Sequence, residues 1–244
     1  MNSLSNATGE FGRELGAMLP KAVGLLAAAW VVVFLVLLFI LQTVKRHMRP
    51  RILRADDNVR AWALSLRYRG QDVFGSERVP LTWFMRFWTN FASAPSLSFW
   101  SVAIPLILIM RGYHNAGLRL WLLPGLCFCG SMVLSNVLKR VFKRVRPERA
   151  AGSFGHKMKD ASFPSGHSLT SLCFWSTMAL SFALSGVAPL VAALFAVMAA
   201  MIVALTGLSR IYMGVHHPSD VIGGYFIGAV WSLAAYGLLS AALS

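Results

Sequence analysis

Acidic residues are scarce in this chain: nine Asp and Glu stand against 23 Lys and Arg over 244 residues, a formal net charge of +14. So few carboxylates make a poor ligand set for Mg²⁺ or a two-metal centre. Only Glu148, Asp160 and Asp220 lie near the polar motifs described below, so neither a metal nor a cofactor is expected. Charge of either sign is sparse at 13%, while 57% of residues are hydrophobic, a balance that excludes an ordinary soluble domain and points to a polytopic membrane protein. Cys127, Cys129 and Cys173 all lie within apolar runs, which reads as small hydrophobic residues rather than a disulfide or metal site. Zinc-finger and helix-turn-helix spacings are missing, and the basic residues sit in short segments between apolar runs. That excludes nucleic acid as a partner and leaves anionic lipid or a phosphorylated substrate. No internal repeat or low-complexity tract is visible. The first apolar run is followed by Lys45, Arg46 and Arg49 rather than by a small-residue cleavage site, so it reads as a retained helix.

The apolar runs predict an all-α membrane protein in a single domain over residues 1–244, with six transmembrane helices. After a polar lead-in over 1–20, the expected spans are 22–44, 95–110, 117–138, 168–185, 189–207 and 219–243. Arg111, Gly112, His114, Asn115 and Gly117 mark a turn between the second and third. Residues 45–80 are polar and basic, interrupted by Gly70, Gly75 and Pro80.

The basic segment 45–93 holds two amphipathic stretches. Val59, Trp62, Ala63 and Leu66 form one helical stripe opposite Arg60 and Arg67. Leu81, Phe84, Met85, Trp88, Phe91 and Ala92 form another opposite Arg86 and Asn90. Such helices either lie in the lipid headgroup plane or pack on neighbouring helices.

Six spans bring the end of the third, the start of the fourth, the end of the fifth and the start of the sixth to one membrane face. Every polar motif falls at one of those points. Lys139, Lys143 and Arg146 are spaced to share one face of a helix expected to stop near Pro147. Pro164-Ser165-Gly166-His167 opens an apolar run. The first N–H groups of a helix there would face outward with a positive dipole end; Ser165 suits a cap, Gly166 permits close approach, and His167 can exchange a proton near neutral pH. Ser209-Arg210 is followed, after five residues, by His216-His217-Pro218-Ser219-Asp220. Asp220 is within reach of the His216 ring if the chain turns into a helix at Pro218, and a carboxylate on one ring nitrogen leaves the other as nucleophile or base. His217 points elsewhere. Three cations, a helix N-terminus, two histidines and a carboxylate meet the requirements of phosphoryl transfer.

The ordered set Lys139/Arg146/Pro147, Pro164 to His167, and Ser209/Arg210/His216/Asp220 resembles the three-part signature of the type 2 phosphatidic acid phosphatase (PAP2) superfamily, within residues 139–220. The resemblance implies a metal-independent membrane phosphatase acting on a lipid phosphate. His216 would attack phosphorus, Asp220 orient it, and His167 protonate the leaving group. Lys139, Arg146, Arg210, Ser165 and the Gly166 backbone would hold the phosphate. Lys143 is outside the signature and remains a possible headgroup contact. Substrate candidates are phosphatidylglycerophosphate, phosphatidic acid, undecaprenyl diphosphate and lipid A; headgroup and oligomeric state are left open. A non-catalytic phospholipid-binding or transport protein on the same fold is the alternative reading.

Nineteen Lys and Arg fall on the expected active face and four on the other, which by the positive-inside rule places that face in the cytoplasm. The resemblance implies the opposite: a bacterial inner-membrane protein with its pocket in the periplasm. The second expectation is preferred, because several of those cations serve the phosphate however the chain inserts.

Overall fold

A computed structural model describes residues 2–74, 80–110, 117–147 and 161–243. The expected turn at 111–116 and the loop 148–160, with Glu148 and Asp160, lie outside the described residues. Within them the chain is all helix, with no strand. The helices are α1 (Asn2–Phe74), α2 (Pro80–Phe91), α3 (Ala94–Met110), α4 (Gly117–Phe142), α5 (Gly166–Leu184), α6 (Pro189–Tyr212) and α7 (Pro218–Leu243). Proline opens α2, α6 and α7, where the missing N–H costs no intrahelical bond. Helices occupy all the expected spans. Among the described residues three stretches are long and apolar enough to cross a membrane: Val23–Thr43, Leu123–Phe142 and Pro189–Tyr212; Ala94–Ile104 is a shorter apolar helix.

Helix α5 sits at the centre, packed against α4, α6 and α7. One core cluster joins Val33 and Leu37 of α1, Leu134 and Leu138 of α4, Leu169 of α5 and Trp231 of α7. A second joins Leu97, Phe128, Phe174, Trp175, Met178 and Ile202. Helix α5 is also rich in buried hydroxyls, because neighbouring helices rather than lipid surround it. Thr170 and Thr177 satisfy theirs on the carbonyls of Gly166 and Cys173, at 2.9 and 2.6 Å. Large apolar side chains instead cover the outside, among them Phe39, Leu190, Leu194 and Val197.

Three expectations are corrected. The apolar span expected at 22–44 is present as Val23–Thr43, but the polar segment after it is not separate from that helix: α1 runs on through Pro50 to Phe74. The continuation packs against the protein along Asp56, Ala63 and Arg67, all buried and spaced seven and four residues apart. Its amphipathicity is therefore the reverse of an apolar face turned inward: Trp62 is 61% exposed and Arg67 0%. The second stretch, α2, packs on a neighbouring helix, the other arrangement expected of it. Thr82 and Thr89 reach Tyr212 and Ser209 of α6 at 2.9 and 2.6 Å, while Trp83 and Phe84 stay exposed. Finally, Lys139, Lys143 and Arg146 do not share a helix face. Helix α4 stops at Phe142, and Lys143, at φ +45° and exposed, reverses the chain.

Helix α7 approaches α5 through Gly224 and Gly228. A Cβ at Gly224 would stand 2.8 Å from the Ser165 carbonyl, and one at Gly228 3.1 Å from the Leu169 carbonyl. Small residues four apart are how helices in lipid bring backbones together. Gly224→Ala is expected to force the helices apart, costing about 1–3 kcal/mol and lowering the thermal midpoint. Gly237→Ala, whose added Cβ would meet no other side chain or helix within 4 Å, is the control. Equal melting temperatures for the two variants would contradict the close-approach account.

Candidate active site

Four helix ends meet at one end of the bundle, and each is shaped by local sequence. Helix α6 closes in a Schellman turn. Gly214, at φ +68°, donates to Ile211 O at 2.9 Å and Val215 donates to Arg210 O at 3.3 Å. The five residues between Arg210 and His216 are the length of that turn. It leaves Arg210 in the last helical turn and His216 just beyond it, both buried. Helix α5 starts after Ser165, whose extended backbone (φ −68°, ψ 111°) suits a cap. Contrary to the expectation, its hydroxyl does not cap a helix N–H. It accepts from Ser168 Oγ at 2.9 Å, while the Ser165 N–H donates to the Asp220 carbonyl at 3.0 Å.

Asp220 is fully buried in the first turn of α7. Its carboxylate accepts from Arg144 Nη1 at 2.7 Å, from the His217 N–H at 2.9 Å and from the Ser162 hydroxyl. The bond back to His217 is the reciprocal half of a capping box. His216 Nδ1 lies 3.5 Å from the same carboxylate oxygen that His217 uses. On the other side of the ring, Arg146 Nη1 stands 3.2 Å from His216 Nε2 and donates to Val215 O at 2.9 Å. A guanidinium only donates, so this contact requires an unprotonated Nε2 and leaves the ring proton on Nδ1, facing Asp220.

The other expected residues join the same cluster. Lys139 Nζ lies 3.9 Å from where a Cβ on Gly166 would stand, so the amine and the Gly166 backbone face one another. His167 has Arg210, His216, Lys139 and Arg146 as the titratable groups around its ring. His217 instead faces Arg144, Asp220, Asp56 and Arg60, as a residue pointing elsewhere should. Among the described residues no group of three His, Cys, Asp or Glu side chains is placed to hold a metal ion.

The sequence reading missed Arg144, Asp56, Ser162 and Ser219. Arg144 Nη2 donates to Asp56 Oδ2 at 2.7 Å, and Asp56 accepts from Ser219 N and Oγ at 2.7 and 2.6 Å. Arg144 looked like one cation among five in a basic segment. A signal was nevertheless present: Asp56 and Asp57 are the only acidic residues between Glu14 and Asp72.

Burial lowers the His216 pKa to about 4; Asp220 opposes the shift and Arg210 and Arg146 reinforce it. An unfolded chain would bind this proton from about pH 6.5 downward. The contribution to stability is therefore complete above that pH and lost as pH falls toward 4. In ¹⁵N-histidine spectra of the full chain, the signals that disappear in His216→Ala are expected to stay neutral at pH 5.5, with Nδ1 protonated. A titration midpoint at 6.5 would contradict the burial account.

Residues 120–243 match the family model described as the PAP2 superfamily. The chain is 35% identical over 133 residues to a phosphatidylglycerophosphatase B from Bacillus subtilis, covering 52% of this chain and 63% of that protein. It is 38% identical over 111 residues to a lipid A 1-phosphatase from Rhizobium johnstonii, covering 42% of this chain and 41% of the other. An undecaprenyl-diphosphatase from Sulfolobus acidocaldarius is 31% identical, over 53% of this chain and 58% of its own. The chain thus spans less than two thirds of these relatives. Among solved structures, a transmembrane PAP2-type phosphatidylglycerolphosphate phosphatase from Bacillus subtilis superposes with a TM-score of 0.62 at 27% identity, over 87% of this chain and 96% of that one.

Proposed function

We infer that this chain, which belongs to the PAP2 superfamily, is a membrane phosphatase that hydrolyses the phosphomonoester or diphosphate headgroup of a lipid. The observation that carries the reading is His216: buried, neutral, with Nδ1 toward Asp220 and Nε2 toward Arg146. An imidazole so held presents its Nε2 lone pair to a group of cations that favour a phosphate. Relatives named as phosphatases of three lipid classes support a lipid substrate and do not favour the non-catalytic alternative.

In the proposed reaction His216 Nε2 attacks phosphorus as the bond to the leaving oxygen breaks. The electron pair goes to that oxygen, and His167 supplies its proton. Lys139, Arg146 and Arg210 take the charge on the other phosphate oxygens. The Gly166 backbone at the positive end of α5 lies beside them, and the Ser165 hydroxyl, which accepts from Ser168, retains its own proton for a phosphate oxygen. As phosphorus bonds to Nε2 the ring becomes cationic and Asp220 stabilises it. Water then cleaves the P–N bond, releasing phosphate, with His167 accepting the proton. No step needs a metal.

In the proposed membrane arrangement six helices cross the bilayer, with the pocket on the periplasmic side of a bacterial inner membrane. Part of the opposing charge count loses its force. Arg67 and Arg210 are buried, and the half-buried Arg144 and Arg146 are engaged in contacts around the site, so these four have work within the protein. Only cations at the surface report on insertion.

With ³²P-labelled phosphatidylglycerophosphate, phosphatidic acid or undecaprenyl diphosphate, the unaltered protein should trap acid-labile, base-stable label. His216→Ala should trap none and lose turnover by at least about 10³-fold, and EDTA should change neither result. Full activity in His216→Ala, or a loss in EDTA restored by Mg²⁺, contradicts the mechanism.

Orientation can be read from Val145→Cys in a cysteine-free background, since Val145 is 83% exposed beside the site. Labelling of intact cells by an impermeant thiol reagent is expected. Labelling only after the inner membrane is opened would put the pocket in the cytoplasm.

A further inference from the structure

The contacts of Asp56 are out of proportion to its place in the chain. It lies on α1, outside the matched family region of residues 120–243. It is nevertheless 2% exposed, and its partners belong to the catalytic end of the bundle. One carboxylate oxygen takes the Ser219 N–H at 2.7 Å, in the first turn of α7. The other takes Ser219 Oγ at 2.6 Å and Arg144 Nη2 at 2.7 Å. Arg144 uses its second nitrogen on Asp220 and Ser219, at 2.7 and 2.6 Å. One guanidinium therefore bridges two buried carboxylates, and Asp56 also grips the residue immediately before Asp220.

The electrostatic consequence follows from the charge count. A guanidinium given wholly to Asp220 would cancel most of the negative field at His216 Nδ1. Shared between two carboxylates, it still satisfies the Asp220 oxygen geometrically, while the cluster of Arg144, Asp56 and Asp220 keeps a net charge of −1. That residual charge is what a cationic phosphohistidine ring needs beside it. The mechanical consequence acts on the same atom. Nδ1 of His216 stands 3.5 Å from Asp220, so a small rotation of the first turn of α7 decides whether the ring is held.

We propose that Asp56 is a positioning residue for phosphoryl transfer, acting with Arg144 and Ser219 to set Asp220 against His216, so that α1 is part of the active site's support as well as a membrane helix. The proposal rests on the phosphatase reading for its effect on rate, but its geometric half can be tested without turnover.

The experiment uses the full chain in detergent micelles, with Asp56→Asn, Arg144→Gln, their double variant and Asp57→Asn, whose side chain is exposed. On the lipid phosphates above, Asp56→Asn should lower kcat by about 10–100-fold, as outer partners of a catalytic unit do, with KM within about twofold because no substrate contact is lost. The double variant should be no worse than the poorer single one. In ¹⁵N-histidine spectra the His216 ring signals should move in Asp56→Asn and stay in Asp57→Asn. Unmoved His216 signals in Asp56→Asn overturn the proposal whatever the kinetics, as does a fall confined to KM. An unaltered protein inactive on every lipid would sink the phosphatase reading, while the spectra still decide the positioning. If Asp56→Asn does not fold, Arg144→Lys is the substitute: an ammonium cannot bridge two carboxylates as a fork, so unshifted His216 signals there overturn the proposal equally.

Discussion

A fully buried carboxylate has to be surrounded by donors, and the end of the bundle that holds the candidate site is organised by that requirement at Asp220. Leaving such a charge uncompensated costs several kcal/mol, about 3–5 when one partner of a buried pair is removed. The donors come from three separate stretches: Arg144 after α4, Ser162 before α5, and the His217 N–H at the start of α7. Even the Asp220 backbone carbonyl is used, by the Ser165 N–H that opens α5. The segments carrying the three signature motifs are thus drawn together by one side chain that itself belongs to the third. Asp56 and Arg144 extend the same network to α1.

The surroundings make this network stable where it stands. Apolar packing of α1, α4, α5 and α7 beneath it keeps water away and strengthens each charged contact. Helix α5 accommodates the hydroxyls of Thr170 and Thr177 on its own carbonyls, and its position among other helices removes any need for high hydropathy. The outward surfaces carry the apolar side chains instead. A polar centre in an apolar coat also explains why the buried ring of His216 stays neutral.

The motif residues were legible because each works through local geometry. The run from Arg210 to His216 is one Schellman turn, and Pro218 opens the helix that carries Asp220 four residues beyond His216. The segment after α4 was misread for a local reason too. Spacing alone allowed a helix through Arg146, whereas the backbone reverses at Lys143, so Lys139 and Arg146 converge through a turn rather than along a helix face. The stripe at Val59, Trp62 and Leu66 was visible, but an amphipathic pattern does not say which face meets protein when lipid is the other neighbour. Here the polar residues turn inward and Trp62 outward.

The sequence by itself determined the all-helical class, the membrane environment, the family resemblance and the residues of the candidate site, because hydropathy over about 20 residues and turn chemistry act within one segment. Only the tertiary structure decided which cation meets which carboxylate. Arg144 and Asp56 are 88 residues apart, and nothing in their spacing distinguishes this pair from the other arginines of a chain rich in them. Long-range pairing of charges depends on how helices pack, and that packing depends on close approaches such as Gly224 on the Ser165 carbonyl, which no periodicity records.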